Sequence, residues 1–335
     1  METSRSPLEL FRRAYELGCK LWSDYDSPFS RHDFTRPQLF ACLALRESLR
    51  LSYRKIEAFL IDVPDWLREI GMNRVPDHNT LWRAFGTLLK PRKMNRALDL
   101  MAREEKDQLA QGLKNKPLTM DSTCYEPHHR SRHYDRVCRK IALATGGKYT
   151  EKPGKYGAAV NASRSRQLRR MPKLALAAAA ASHHILAVRT TIGIGSDHPD
   201  FEPLLFDSWR RAKVKTAVAD AGYDSEKNHR LARLDMGVRS VIPPKAGRPS
   251  KKAPVGYYRR LMKRRFKNKS DAKVYGQRAQ SETINSMMKR NLGDSLRSIR
   301  PERRKQEMMF RAIVHNLMLD PKKRERSRLS HRFGL

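Results

Sequence analysis

The sequence predicts a mixed α/β protein: an all-helical segment over residues 1–112, a sheet-containing domain over 113–320, and a basic tail over 321–335. Three observations carry that expectation. Up to about residue 112 the apolar residues recur at three- and four-residue spacings, the period of a helix. After Pro117, short apolar runs alternate with amphipathic stretches, as strands and helices do when taken in turn. Two of those runs, 118–120 and 215–219, are followed at once by an aspartate, Asp121 and Asp220. At 335 residues the chain is long enough for two domains and a sizeable core.

In the helical segment Pro37 opens a stretch with Leu39, Phe40, Leu43 and Leu45 at helical spacings. Ser52 reads as the N-cap of a helix over 53–60. Pro64 starts a short helix that Gly71 stops, and residues 76–80 open a third, with Leu81, Phe85, Leu88 and Leu89 as its core stripe. Trp82 and Phe85 both read as core. Three short helices ending in one that carries Arg83 suit a helix-turn-helix-like DNA-binding module, although the turn over 71–77 is long for one. A plain helical bundle is the alternative.

Beyond Pro117, residues 118–123 read as a buried strand ending in a carboxylate, and 125–172 as mostly loop. Residues 172–181 and 184–191 read as two consecutive strands, although the alanine run also suits a helix. A helix over 201–212, a strand over 215–219, a helix over 226–236 and a strand over 238–242 follow. Helices at 277–291 and 301–319 close the sequence of elements. That order is compatible with a ribonuclease H-like core.

Charge narrows the partner. The chain holds 70 Lys and Arg against 35 Asp and Glu, a formal net charge of +35, which calls for a polyanion such as nucleic acid. No apolar run approaches the roughly 20 residues of a membrane span. With no signal-peptide core and four scattered cysteines, the expectation is a soluble, cytoplasmic protein with no membrane partner. Residues 245–270 contain eleven Lys and Arg and no acid, so they read as a basic insertion: a solvated linker or a DNA-gripping segment. The DNA-contact candidates are Arg83, Arg164, Arg166, Lys245, Lys251, Lys252, Arg259, Arg260, Lys263, Arg264, Arg278 and Lys289.

The segment with the most chemistry spans Tyr275, Arg278, Glu282 and Lys289, spaced Y-x2-R-x3-E-x6-K. On one helix, seven residues make close to two turns, so Tyr275, Glu282 and Lys289 fall on one face, with Arg278 one turn before Glu282. Asp121, Asp220 and Glu282, converging from two strands and a helix, would hold two hard cations of the Mg2+ type for phosphate chemistry. Each also has a plainer use: a strand-end Asp as a turn or cap residue, and Glu282 with Arg278 as an exposed i,i+4 pair. Cys124, His128, His129, His133 and Cys138 crowd one segment, but their spacing matches no paired zinc motif. His198, after Asp197, reads either as a site residue or as a helix cap.

Met120-Asp121, Ala219-Asp220 with Gly222, Tyr223 and Asp224 after it, and the Y-x2-R-x3-E-x6-K segment together resemble the DDE transposases of bacterial and archaeal insertion sequences. Gly193 to His198, His315 to Leu317 and the helical module over 52–80 resemble that group as well. The resemblance implies that Asp121, Asp220 and Glu282 form the DDE triad and bind two Mg2+ ions, with Mn2+ able to substitute. It makes Tyr275, Arg278 and Lys289 supporting residues that grip the phosphates of the transposon ends. It further implies cleavage at terminal inverted repeats and strand transfer into target DNA by a homodimer on double-stranded DNA, in a prokaryotic, nucleoid-associated setting. Ala221 departs from the group, which usually has a basic residue after the second aspartate. A ribonuclease H-fold nuclease without strand transfer and a non-catalytic DNA-binding derivative are the alternatives.

Overall fold

The computed structural model describes residues 4, 6–29, 31–127, 140, 144, 171–193, 195–245 and 255–319. Arg164, Arg166, Lys251, Lys252, His128, His129, His133, Cys138 and the tail over 321–335 lie outside the described residues.

Seven helices come first: α1 (Pro7–Leu21), α2 (Arg36–Ser48), α3 (Tyr53–Asp62), α4 (Pro64–Glu69), α5 (His78–Leu88), α6 (Pro91–Glu104) and α7 (Lys106–Asn115). Their starts are set by local chemistry. Thr35 and Gln38 form a reciprocal capping box on α2, Ser52 caps α3 through the Lys55 amide, and Asp77 caps α5 through the amides of Asn79 and Thr80. Gly71 follows α4 at φ +64, a left-handed turn that glycine enters without strain. Phe85 is core as expected. Trp82 is not: 51% of it is exposed, because it lies on the solvent side of the α5 stripe.

The five-stranded sheet contains β1 (Leu118–Cys124), β3 (Pro172–Ala179), β4 (Ile185–Ile192), β5 (Thr216–Ala219) and β6 (Arg239–Val241), in the order β4-β3-β1-β5-β6. β4, β3 and β1 run antiparallel, whereas β1, β5 and β6 run parallel. A second, two-stranded pairing joins β2 (Glu126–Pro127) to β7 (Ser295–Leu296). Helices α8 (Phe201–Arg211), α9 (Glu226–Arg230), α10 (Tyr257–Lys267), α11 (Ala272–Gly276), α12 (Ala279–Leu292) and α13 (Pro301–Met318) complete the fold. The architecture is mixed α/β.

The alanine run is strand, because it is covered on both faces. Leu174, Leu176 and Ala178 join one apolar cluster, while Ala175, Ala177 and Ala179 join the other. The first cluster also takes in Phe11, Phe40 and Phe85 from the leading helices and Phe310 and Ile313 from α13, so it is continuous across the proposed domain boundary. Phe40 meets Phe310 edge-on at 5.5 Å. Beside them Arg311 is buried, with its Nε 2.7 Å from Glu47 of α2 and an Nη 3.1 Å from Glu307. The edge strand β4 is closed by the Asn316 side chain, which accepts from the Ile185 amide at 2.9 Å and donates to its carbonyl at 2.8 Å.

Two expectations change. β1 does not end at its carboxylate: Asp121 is mid-strand, opposite Leu176, and the ladder runs on to Cys124. The Tyr275-to-Lys289 stripe does not lie on one helix either. Tyr275 belongs to the short α11, and α12 begins at Ala279 with Arg278 as its N-cap residue. The second half of the basic insertion, expected as linker or gripping segment, is the regular helix α10. Among the described residues no helix is long and apolar enough to cross a membrane.

Candidate active site

Asp121 and Asp220 come together through register. Met120 of β1 lies opposite Ala219 of the parallel strand β5, so the aspartate after each occupies the next level of adjoining strands. Burial raises the Asp121 carboxyl to about 6, and the charges of Asp220 and Glu282 push the same way; the Ser122 amide and Arg278 oppose them. The Asn285 amide, on α12, donates to Asp121 Oδ2 at 3.1 Å. Asp220 Oδ1 accepts from the Gly222 amide at 2.8 Å and caps the single 3-10 turn Ala221–Tyr223, so its cap role is real too.

Glu282 lies in the first turn of α12, 57% exposed at the side chain, and its carboxylate is paired with Arg278. Tyr275 packs edge-on against Phe266 at 5.1 Å. Burial raises its hydroxyl, Arg278 opposes that, and Asp220 and Glu282 add to it. Tyr275, Arg278, Glu282, Asp121 and Asp220 thus share one electrostatic environment. Lys289 sits further along α12, its ammonium 5.6 Å from the centre of the Tyr125 ring.

Asp197 escaped the sequence reading as a site residue. Its Oδ1 accepts from Ser122 Oγ at 2.8 Å and from the Lys173 ammonium at 2.7 Å, and Lys173 also reaches Asp200 at 3.3 Å. A Cβ on Gly222 would meet Asp197 Oδ2 at 2.8 Å and Asp220 Oδ1 at 2.9 Å, so the two acids flank this glycine. The only signal in the sequence was the place of Asp197 beside His198 in the segment from Gly193. Asn285 gave none beyond standing three residues after Glu282. His198 is exposed and opens a single 3-10 turn, with its carbonyl accepting from Asn228 at 3.0 Å.

The DNA-contact candidates separate into two kinds. Arg83 is exposed and lines a cleft of about 790 Å³ together with Arg31, Arg36, Arg74, Lys90 and Lys93. Arg260, Lys263 and Arg264 are exposed on α10. Arg259 is committed elsewhere: its guanidinium binds the buried Asp224 at 2.9 Å, and its backbone amide meets Glu226 at 3.0 Å. Lys245 gives its backbone amide to Asp224 at 2.9 Å.

As donors, these side chains fit a hard divalent cation: carboxylate oxygens, with the Asp121 carboxyl raised first by burial and then by the charges of Asp220 and Glu282. Among the described residues, however, no three His, Cys, Asp or Glu side chains stand close enough together to hold one. Glu282 is paired with Arg278 and Asp197 with Lys173.

The fold thus brings a mid-strand aspartate, Asp121, and a strand-end aspartate, Asp220, into one electrostatic neighbourhood with Tyr275, Arg278 and Glu282. Residues 117–317 match the family described as the transposase DDE domain, and the chain belongs to that family. No curated protein sequence matches it. Among solved structures it is similar to a piggyBac transposase in a synaptic complex with hairpin DNA, at 11% identity and a TM-score of 0.39, over 97% of this chain and 78% of that one.

Proposed function

We propose that this transposase binds the terminal inverted repeats of its insertion sequence, cuts the DNA there and joins the 3′ ends to target DNA. The placement of Asp121 and Asp220 each one residue past the Met120–Ala219 pair of the parallel strands, with the Asp121 carboxyl raised to about 6, carries the reading. A carboxyl at that value in a basic chain is poor as a structural device and well suited to a cation. The sheet order β4-β3-β1-β5-β6, three strands antiparallel and then two parallel, supports a ribonuclease H-like core. Asp121, Asp220 and Glu282 would hold two Mg2+ ions, or Mn2+ in their place. Such ions would lower the pKa of an attacking water or 3′-hydroxyl and stabilise the leaving oxygen.

The chain's own side chains prepare the site. A DNA phosphate competes with Glu282 for Arg278, since a guanidinium binds either oxyanion in the same forked geometry. Phosphate binding therefore releases Glu282 toward the two aspartates. Asn285 holds one oxygen of Asp121 in place, and Gly222 keeps the space between Asp197 and Asp220 clear. Tyr275 offers its hydroxyl beside Arg278. The helical segment over 1–112 would read the terminal repeats through the Arg83 face of α5. The shared core would fix that segment against the catalytic part. Two DNA ends must be joined together, which calls for a homodimer, acting on the nucleoid of a prokaryotic cytoplasm.

Duplex DNA carrying the repeats that flank the gene, incubated with Mg2+ or Mn2+, should give nicked and strand-transfer products. Loss of those products in Asp121→Asn, Asp220→Asn and Glu282→Gln tests the assignment.

A further inference from the structure

We infer that a pocket between α5 and the start of α13 is a second nucleic-acid site, which takes one unpaired nucleotide by stacking its base on Trp82 and neutralising its phosphate with arginines. The pocket has a volume of about 220 Å³. Tyr53, Trp82 and Phe85 supply its aromatic wall, and Arg46, Arg297, Arg300 and Arg303 its charge; no acid lines it. Four cations around an aromatic wall match the two halves of a nucleotide, a flat ring and an anion.

Unmet hydrogen-bonding capacity points to a ligand. Arg46 is 4% exposed and its Nε is buried with no hydrogen-bond partner; Arg303 Nη1 is buried in the same condition. Buried guanidinium nitrogens without acceptors are costly unless something supplies an oxygen. Arg46 is held by Glu47 at 3.3 Å and lies 4.0 Å over the Tyr53 ring, so it is fixed rather than waving. The guanidinium of Arg303 lies 5.4 Å over the Trp82 ring and 5.5 Å over Phe85, seated against Gly86, where any Cβ would collide with it. Half of Trp82 remains open to solvent, and the neighbouring Ile299 is 67% exposed. The first turn of α13, which carries the lining residue Arg303, has no side-chain cap.

The site lies outside the Asp121–Asp220 cluster and rests on the transposase reading only for the origin of its ligand, a base displaced from the duplex where DNA is opened. The test uses the full-length protein without divalent metal. A ten-nucleotide single-stranded oligonucleotide, a blunt duplex and inorganic phosphate are titrated in turn while tryptophan emission is followed. The single strand should quench Trp82. Trp82→Ala should lose the quench and weaken single-strand binding about 5- to 100-fold, the worth of one stacked base, with duplex binding unchanged. Trp82→Phe should restore most of the affinity, and thermal melting of both variants shows that they are folded. Unchanged affinity in Trp82→Ala overturns the proposal. So does inorganic phosphate that competes as well as the oligonucleotide, which would leave an anion site only. Quenching that persists in a protein unable to cut DNA would sink the transposase chemistry and leave the pocket standing.

Discussion

The Asn285 amide donates to Asp121 Oδ2 across 3.1 Å and ties α12 to the central strand β1 at the proposed catalytic carboxylate. Hydrogen bonds to a charged group are worth about 1.5–3 kcal/mol, so Asn285→Ala should cut DNA cleavage by about 10- to 100-fold. An amide that donates to a carboxylate favours its charged form, so its loss should also move the acid limb of the pH–rate profile upward. A slower enzyme with an unmoved limb would leave Asn285 a packing residue.

Asp121→Asn should stabilise the metal-free protein at neutral pH. The folded carboxyl titrates at about 6, against roughly 4 when unfolded. The protonated acid is therefore favoured by folding below pH 4, and that contribution is lost as pH rises from 4 through 6. At pH 7.5 the buried charge costs up to about 3 kcal/mol, which asparagine removes. Melting curves at pH 7.5 and pH 4.5 should show the variant gaining at the first and not at the second.

Gly222→Ala tests the proximity of Asp197 to Asp220. The new methyl would stand 2.8 Å and 2.9 Å from their oxygens, closer than carbon and oxygen settle. Both carboxylates must swing aside, so cleavage should fall at least about 10-fold, as misplaced catalytic groups do, while the melting temperature changes little. Full activity would mean that neither position matters.

The basic helix α10 should divide into anchors and contacts. Burial works to raise the Asp224 carboxyl, but the His229 ring 3.6 Å away and hydrogen bonds from Arg259 and the Lys245 amide bring it down to about 2. Its stabilising effect is present above pH 4 and fades as pH falls from 4 through 2. Arg259→Ala should cost about 3 kcal/mol at pH 7, the low end for a broken buried pair because His229 and the Lys245 amide remain. Lys263→Ala with Arg264→Ala should leave stability alone and lower the salt slope of DNA binding by about 2. An unchanged slope would make the exposed face a bystander.

Much of this was legible in the chain because local chemistry fixed it. Ser52 and Asp77 announced their helices, and the Asp121 and Asp220 runs were strands. What was not legible depended on tertiary neighbours. The alanine run became strand because both its faces are covered, a fact about α8 and α13 rather than about alanine. Asn285 and Asp197 matter through partners 164 and 75 positions away. Trp82 read as core because its helix is amphipathic, but it lies on the solvent side of the α5 stripe, with the Arg303 guanidinium over its ring. Arg259 looked like its exposed neighbours until Asp224 was placed beneath it.

The central claim is that Asp121, Asp220 and Glu282 act together on a DNA phosphodiester. The most direct measurement is product formation from end-containing duplex DNA with Mg2+, comparing the wild-type chain with Asp121→Asn, Asp220→Asn and Glu282→Gln at equal duplex affinity. The account predicts nicked and joined products from the wild type and a loss of about 1,000-fold or more in each variant, as removal of a metal-binding carboxylate demands. Wild-type product levels in any one of the three would contradict it.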